Sequence, residues 1–345
     1  MGMRPNIATR GGHDRLHARP GAALVVELLV VAMIGAGCTQ RSQECREGSG
    51  PRVMSQSLGR VVGPSSADQA TIPTPPSPGP HLVNIRTGEV TRLPVGARLG
   101  WPDVSTDGRR IAWTEGFVSN VDGSNVHRVG AGGIRPDWSP DGIRIAFDSS
   151  TFRVDGSIFV INLRSGDTCR VRTVGDAPYA ADWSPDGTKI LYLSPWGAKD
   201  REIRVVDLAT GVDTRLRRVG GRDSPWDSAT WSPDGRRIVF ECDTGICVMG
   251  ADGSNGQKLT CCPIRDHGTQ APQWSPDGTM IVYWSDQTWS DQEDVGDVYM
   301  LDLTTGVERL IMASAAEPVW AGPDMLIVRV VRCHYEQDGS GECTY

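Results

Sequence analysis

Short apolar runs alternate with polar, turn-forming segments along most of this chain, and the pattern is most regular after residue 100. The segment WSPDG occurs four times, at residues 138–142, 183–187, 231–235 and 274–278. Each copy is followed two residues later by an apolar triplet such as IAF or IVY. Because Pro, Asp and Gly suit successive positions of a tight turn, each copy predicts a turn between two strands.

An altered copy, VSTDGRRIAW, occupies residues 104–113, and a degenerate copy, VWAGPDMLIV, occupies residues 319–328. Counted from Val104, the six copies are spaced by 34, 45, 48, 43 and 46 residues. The intervals also contain a second pair of apolar runs around a turn, such as IRVVDLATGVDTRL at residues 203–216. One repeat is therefore expected to form two hairpins, with strands A, B, C and D.

The repeat predicts an all-β fold, a six-bladed β-propeller of four-stranded antiparallel blades. Such a sheet buries both faces only by stacking on its neighbours, and radial closure leaves little exposed edge. Residues 81–93 look like strands C and D alone, whereas the last repeat, from Glu317, offers strands A and B. We expect the last blade to be closed by these N- and C-terminal strands. The tail 333–345 is either an extra hairpin or a third strand of that blade.

The repeat resembles the TolB-type, WD-like propeller repeat, and residues 231–260 are the nearest match. The resemblance covers about residues 81–330 and implies the propeller scaffold of that family. TolB itself carries an N-terminal α/β domain, for which residues 39–80 are too short and too polar. The resemblance therefore implies membership of the repeat family and not a place in the Tol envelope complex.

Residues 1–38 are typical of an export signal. Four arginines precede an apolar run at residues 22–37, small residues end that run, and Cys38 follows. This arrangement resembles a bacterial lipoprotein signal, which implies lipidation of Cys38 and attachment to the membrane at the cell-envelope surface. Glu27 inside the run and Gly35 three positions before Cys38 depart from that pattern. An uncleaved anchor or an ordinary secretion signal therefore stays open.

Residues 39–80 are polar and rich in Ser, Pro and Gly, which predicts a flexible linker before a propeller domain at residues 81–345. That domain holds 27 basic and 37 acidic side chains. Because an acidic surface repels phosphate backbones, nucleic acid is excluded as a partner class. The expected protein is a monomer whose partner is a protein or a component of the cell envelope.

A tryptophan recurs at the same place in five of the repeats. A residue that every unit needs serves the scaffold first, so we interpret these indoles as wedges between neighbouring blades. They are Trp138, Trp183, Trp231, Trp274 and Trp320.

Eight cysteines remain after Cys38. Cys242 and Cys247 flank a short loop between strands B and C, and Cys333 and Cys343 flank the turn of the tail, so both pairs are candidate disulfides. The adjacent Cys261 and Cys262 raise the alternative of zinc, but the spacing matches no ordinary zinc site. No metal and no other cofactor is therefore predicted.

Chain direction places the D–A and B–C loops on one face of the ring and the SPDG turns on the other. The D–A and B–C loops are long and varied, and varied loops on a uniform scaffold tend to carry function. We expect exposed aromatic anchors and nearby charges to form a binding site there, at the channel mouth. The predicted residues are Tyr179, Trp196, Arg222, Trp226, Arg265, His267 and Trp289.

Two functions fit these observations. The first is an exported, envelope-associated scaffold that binds a protein or an envelope component. The alternative is a carbohydrate-active or small-ligand-binding propeller, of lyase or hydrolase type, with its site at the channel mouth. The chain has no G-x-S-x-G elbow, no H-E-x-x-H motif and no phosphate-binding glycine loop, so no catalytic residue is predicted and binding is favoured over catalysis.

Overall fold

The structure is a computed structural model that describes residues 72, 77–96, 99–130, 133–149, 156–195, 200–220, 228–242, 245–260, 269–286 and 296–330, together with the backbone of 332–335 and 341–344. The predicted signal with Cys38, and most of the predicted linker, lie outside these residues. Within the described part of the chain, no helix has the length and apolar character that crossing a bilayer requires.

The described secondary structure is almost entirely β-strand, apart from one 3₁₀ turn at Thr114–Gly116. The strands are β1 (Gly79–Asn84), β2 (Val90–Arg92), β3 (Asp103–Val104), β4 (Arg110–Trp113), β5 (Phe117–Asn120), β6 (His127–Arg128), β7 (Ile134–Trp138), β8 (Arg144–Asp148), β9 (Ile158–Asn162), β10 (Thr168–Arg170), β11 (Tyr179–Trp183), β12 (Lys189–Ser194), β13 (Asp200–Asp207), β14 (Asp213–Gly220), β15 (Ala229–Trp231), β16 (Arg237–Cys242), β17 (Gly245–Gly250), β18 (Gln257–Lys258), β19 (Thr269–Trp274), β20 (Met280–Asp286), β21 (Gly296–Asp302), β22 (Glu308–Met312), β23 (Ala315–Gly322), β24 (Met325–Val330), β25 (Arg332–Tyr335) and β26 (Gly341–Thr344).

Six four-stranded antiparallel sheets form the blades. Blades 1 to 5 are β3–β6, β7–β10, β11–β14, β15–β18 and β19–β22, each in the order A, B, C, D. The closing blade has the order β23, β24, β1, β2. Its central pair runs antiparallel from Gly79 opposite Val330 to Asn84 opposite Met325. The predicted closure by N- and C-terminal strands is therefore confirmed.

The six A strands form a closed ring. Each of β7, β11, β15, β19 and β23 contacts the A strand of the preceding blade, and β23 also contacts β3. Strand A is therefore the innermost strand of every blade, and strand D forms the outer rim. The tail forms a separate two-stranded sheet, β25 with β26, in which Cys333 lies opposite Cys343. Of the two readings of the tail, the extra hairpin is the one observed.

The hydrophobic core lies in the six seams between blades. Each buried apolar cluster combines residues of two neighbouring blades. Trp183, for example, is 5% exposed and packs with Ala146 and Ile158 of blade 2 as well as Ile190 of its own blade. Trp138, Trp274 and Trp320 are buried in three other seams, whereas Trp231 is half-buried.

A basic side chain covers several of these indoles from the preceding blade. The guanidinium carbon lies 4.4 Å from the ring centroid of Trp138 for Arg110, 4.4 Å from Trp183 for Arg144, and 4.5 Å from Trp274 for Arg237. A guanidinium over an indole is attractive and also shields the ring from water. In each of these three seams, the tryptophan of one blade is therefore buried beneath an arginine of the preceding blade.

The A–B turns have the same hydrogen bonds in all five blades that carry the Ser-x-Asp-Gly pattern. In blade 4, Ser232 Oγ donates to Asp234 Oδ1 at 2.6 Å and accepts the N–H of Arg237 at 2.9 Å. Gly235 has φ of 67°, which an L side chain rarely adopts. The serine hydroxyl thus connects the turn to the strand that follows it.

Part of the predicted linker packs against the domain. Ile72 is 7% exposed, and its N–H donates to the carbonyl oxygen of Ile311 at 2.9 Å. Strand β1 also begins at Gly79, two residues before the predicted domain boundary.

Candidate binding face and central channel

Strand A of every blade begins at one end of the ring, which we call the mouth. The D–A and B–C connections join the strands there, and the A–B turns lie at the opposite end. Six of the predicted binding residues fall in these connections and lie outside the described residues. They are Trp196, Arg222, Trp226, Arg265, His267 and Trp289.

Tyr179 is described, and it is not the exposed anchor that we expected. It is the first residue of β11 and is only 3% exposed. The strand begins earlier than the loop pattern suggested, so the ring of Tyr179 enters the seam between blades 3 and 4. Its expected exposure was therefore wrong, because strand pairing and not the loop sets its direction.

A backbone bulge recurs at the mouth end of strand A. Trp101, Arg135, Ala180, Ala271 and Glu317 all have φ between 47° and 53°, and none of them is glycine. The pairing of strand A with strand B shifts register across the last four of these residues. A left-handed conformation costs a non-glycine residue about 1–2 kcal/mol. Bulges redirect side chains, and here they do so in the innermost strand of the ring.

Carboxylates of one blade accept hydrogen bonds from the backbone N–H groups of the bulges in the next blade. Asp148 Oδ2 of blade 2 accepts the N–H of Ala180 in blade 3 at 3.2 Å. Glu241 Oε1 of blade 4 accepts the N–H of Ala271 in blade 5 at 2.8 Å. The buried N–H groups of the distorted strands are thus satisfied by the neighbouring blade.

Glu317 also accepts a backbone N–H group of the next blade, at the seam where the ring closes. Its Oε2 accepts the N–H of Trp101 in blade 1 at 2.8 Å. Its Oε1 lies 2.8 Å from Nη2 of Arg329, and the two side chains are 2% and 11% exposed. A buried, paired carboxylate therefore joins the closing blade to blade 1.

A buried arginine lies among the bulges of blades 1 to 3. The guanidinium carbon of Arg135 is 4.8 Å from the ring centroid of Trp101 and 5.6 Å from that of Tyr179. Burial raises the pKa of the nearby Asp148 to about 6, although the charge of Arg135 opposes this shift. The arrangement is a cation enclosed by two aromatic rings and a carboxyl group, directly below the mouth loops.

Three aspartates lie deeper along strand A, in consecutive blades. Asp103 Oδ2 accepts the N–H of Trp138 at 2.6 Å, Asp137 Oδ2 accepts that of Trp183 at 2.5 Å, and Asp182 Oδ2 accepts that of Trp231 at 2.8 Å. Each carboxylate thus connects its blade to the next through the backbone of the wedge residue. We call Asp103, Asp137 and Asp182 the channel aspartates.

Burial raises the pKa of all three channel aspartates, to about 7 for Asp103 and well above the ordinary value for Asp137 and Asp182. The residues retain some accessible surface, but protein atoms surround the carboxyl groups. The neighbouring charges of Asp103 and Asp182 raise the pKa of Asp137 further, and its carboxyl group shares a hydrogen bond with Asp103. The group therefore holds protons at a pH where free carboxylates are ionised.

The other half of the ring has no carboxylate at this position. Thr230, Gln273 and Val319 stand there in blades 4, 5 and 6, and Thr230 Oγ1 donates to the carbonyl oxygen of Pro272 at 3.1 Å. No group of three His, Cys, Asp or Glu side chains with metal-binding geometry occurs among the described residues. Carboxyl groups thus occupy this position in blades 1 to 3, and side chains without a titratable group occupy it in blades 4 to 6.

One predicted disulfide is confirmed near the mouth. Cys242 and Cys247 are bonded across the B–C connection of blade 4, with their Cα atoms 5.8 Å apart. For Cys333 and Cys343, the facing backbone positions in β25 and β26 agree with the predicted pair, which stays a prediction.

The channel aspartates and the Arg135 cluster were not among the predicted site residues. The aspartates carry a readable signal, since Asp directly precedes the wedge position in three successive repeats. The Arg135 cluster has no such signal, because Trp101 and Arg135 are different residue types at the same position of two repeats, and the side chains meet only where neighbouring blades pack together.

Comparison with known proteins agrees with this geometry. The family model of the TolB beta propeller domain matches residues 115–332, more than half of the chain. The structure of a putative TolB from Agrobacterium tumefaciens has a TM-score of 0.62 at 23% identity, covering 73% of this chain and 98% of that one. TolB from Acinetobacter baumannii has a TM-score of 0.54 at 18% identity, covering 71% of this chain and 67% of that one. A search of curated proteins found no match. The chain belongs to the TolB β-propeller domain family.

Proposed function

We propose that this protein is an exported, envelope-associated scaffold that binds a protein or an envelope component at the mouth of its propeller. The observation that carries the proposal is the contrast between the two ends of the ring. The A–B turns repeat one set of hydrogen bonds, whereas the mouth changes from blade to blade. Variation confined to one end of a repeated scaffold is typical of a binding surface.

In the sequence, four predicted anchors fall within connections between strands of blades 3 to 5. Trp196 lies between β12 and β13, Trp226 between β14 and β15, His267 between β18 and β19, and Trp289 between β20 and β21. All four connections join strands at the mouth end. Aromatic side chains on neighbouring loops over a rigid floor are the usual composition of an interface centre.

The cluster of Arg135, Trp101, Tyr179 and Asp148 supplies such a floor. These side chains are held by stacking and by hydrogen bonds across the seams, so ordering them costs a partner little entropy. The mouth is therefore preorganised at blades 1 to 3, whereas the loops that the proposal assigns to contact belong to blades 3 to 5.

Co-purification from the cell envelope, followed by binding measurements, tests the proposal. The Trp226→Ala/Trp289→Ala variant should weaken the captured partner's binding by about a hundredfold or more, because truncation of one aromatic anchor at an interface centre typically costs about 2 kcal/mol. The matched control is Arg109→Ala/Arg236→Ala, which changes two exposed side chains on the A–B turns at the opposite end. A partner that binds the tryptophan variant as tightly as the wild type, or that is lost in the control instead, would place the site elsewhere.

Attachment to the membrane through Cys38 is part of the same proposal. The Cys242–Cys247 disulfide supports export, since such bonds persist in oxidising compartments. Metabolic labelling with a radioactive fatty acid should mark the wild type and not Cys38→Ala. Equal labelling of both proteins would refute lipidation at this residue and leave the binding proposal intact.

The alternative of a carbohydrate-active or small-ligand propeller has no specific observation in its favour. The channel aspartates accept backbone N–H groups of the wedge residues, a role in holding the scaffold together.

A further inference from the structure

Two exposed valines lie on the outer rim, where blade 2 leads into blade 3. Val174 and Val212 are 71% and 59% exposed, and they are the two most exposed large apolar residues in the described part of the chain. Val174 follows β10 of blade 2, and Val212 directly precedes β14 of blade 3. Because the N–H of Val174 donates to Oδ2 of Asp213 at 2.8 Å, the segments that carry the two valines lie side by side.

Arginines accompany these valines on the exposed surface. Arg172 lies two residues before Val174 and is exposed. In β14, the side chains of Arg215 and Arg218 are 50% and 71% exposed. We call these three arginines and the two valines the rim patch. Its positive charge contrasts with the domain as a whole, which holds 27 basic and 37 acidic side chains.

Two carboxylates lie beneath these arginines. Glu202 is 22% exposed, and its Oε2 lies 2.6 Å from Nη1 of Arg204. Its Oε1 lies 3.1 Å from Nη1 of Arg215 and 3.3 Å from Nε of Arg218. The side chain of Asp213 is fully buried, and its Oδ1 lies 3.0 Å from Nε of Arg204. Glu202 thus orients two exposed guanidinium groups but cannot neutralise both, and positive charge faces the solvent.

Further acidic side chains lie towards the two ends of the rim patch. Asp176 is exposed on the side of the mouth, where its carbonyl oxygen accepts the hydroxyl of Ser194. Asp207 lies at the C–D turn, and its Oδ2 is 3.6 Å from Nζ of Lys189. The rim patch is therefore a local band of positive charge that contains exposed apolar side chains.

This combination suits a membrane surface that carries anionic lipid. Guanidinium groups match phosphate with paired hydrogen bonds, and basic side chains close to an anionic bilayer strengthen binding. Exposed apolar side chains contribute further when they enter the boundary between headgroups and acyl chains. Arginines that Glu202 already holds in place lose little conformational freedom on binding.

We propose that the rim patch binds the surface of a membrane that contains anionic phospholipid. The proposal rests on the envelope location proposed above, and it adds a contact surface that is separate from the mouth. Charge complementarity identifies the occupant, since phosphate headgroups match the arginines and the acyl boundary matches the two valines. Contact through the rim leaves the mouth free for a partner.

Flotation of the full chain with lipid vesicles tests the proposal. Every protein carries Cys38→Ala, so that no acyl chain can be attached there, and the vesicles contain phosphatidylcholine alone or an equal mixture with phosphatidylglycerol. Arg172→Gln/Arg218→Gln should weaken binding to the anionic vesicles by about tenfold or more, because each basic side chain at an anionic surface adds to the affinity. Both side chains are exposed, so the melting temperature should stay that of the wild type.

The matched control is Arg109→Gln/Arg236→Gln, which removes the same charge from two exposed A–B turns. This variant should bind the anionic vesicles as the wild type does. Equal weakening in both variants, or no weakening in either, would overturn the proposal. Binding of soluble polyglutamate at the rim patch without binding of the anionic vesicles would overturn it too and would assign the patch to an acidic protein.

Methyl NMR provides a second readout that resolves the individual valines. On nanodiscs of the anionic mixture that carry a paramagnetic headgroup, the methyl signals of Val174 and Val212 should broaden. Those of Val126, which is 40% exposed on blade 1, should stay sharp. Equal broadening at all three valines, or none at any of them, would refute the rim patch as the contact surface. The mouth proposal is tested separately, since Trp226→Ala/Trp289→Ala leaves the rim patch unchanged.

Discussion

The two ends of this propeller differ in how closely their side chains repeat from blade to blade. At the A–B end, one set of side chains recurs, and Ser184 and Ser232 donate to the turn aspartates at the same 2.6 Å. At the mouth, the residue with the left-handed conformation changes from Trp101 to Arg135 to Ala180, although the conformation itself recurs. Residues that recur from blade to blade therefore stabilise the ring, whereas positions that vary between blades are available to bind a partner. Substitutions at the two ends should separate accordingly into losses of stability and losses of binding.

The largest expected effect is at a wedge residue. Trp183→Ala should lower the free energy of unfolding by about 3–5 kcal/mol, since it opens a cavity in the seam between blades 2 and 3. Trp231→Ala should cost less, because that indole is only half-buried. Denaturant unfolding measures both, with the exposed Val174→Ala as control. If Trp231→Ala lowered the free energy of unfolding as much as Trp183→Ala does, burial of the indole would not explain how much each wedge residue contributes to stability.

The channel aspartates make stability depend on pH with a definite sign. Their folded-state pKa values lie above those of an unfolded chain, so between about pH 4 and pH 7 the folded protein binds more protons. The free energy of unfolding should therefore fall as the pH rises through this window. Asp137→Asn should be more stable than the wild type at pH 8, and the difference should shrink at pH 5.

The same substitution at the A–B end should act in the opposite direction. Burial raises the pKa of Asp186, but the hydrogen bonds from Ser184 and Thr188, together with the charge of Lys189, outweigh burial and lower the pKa below its ordinary value. Its contribution to stability is thus present above the ordinary carboxyl pKa and is lost only as the pH falls below about 4. Asp186→Asn should be slightly destabilising at pH 8. Stabilisation by both substitutions would mean that general charge reduction explains the effect of Asp137→Asn.

A smaller loss is expected at a turn hydroxyl. Ser232→Ala removes the bond to Asp234 and leaves the N–H of Arg237 without its acceptor, which should cost about 1–2 kcal/mol in denaturant unfolding. Ser165→Ala, at an exposed C–D turn, should cost much less. Partner binding at the mouth should be unchanged in both variants, and a binding defect in Ser232→Ala would contradict the division between the two ends.

The sequence predicts the scaffold better than the site for a physical reason. Pro185 and Gly187 specify their turn locally, so the repeats and the closing blade could be found without tertiary information. The exposure of Tyr179 could not, since it depends on where strand pairing begins. The contact of Arg135 with Trp101 depends on two left-handed residues that no local propensity favours. The mouth is thus determined by packing between blades, which a single repeat does not encode.

The last prediction concerns the electrostatics of the mouth floor alone. Burial raises the pKa of Asp148 to about 6, and the positive charge of Arg135 restrains that rise. Arg135→Met should therefore raise the pKa of Asp148 further, which carbon-13 NMR titration of the carboxyl group can follow. The matched control is Arg144→Met, because Arg144 also lies in blade 2 and stacks on an indole but at the other end of strand B. A pKa of Asp148 that stays at about 6 in Arg135→Met would mean that the guanidinium acts on the rings of Trp101 and Tyr179 and not on the carboxyl group. Because each substitution removes one positive charge from blade 2, a shift confined to Arg135→Met would show that the charge acting on Asp148 is that of Arg135 and not that of Arg144.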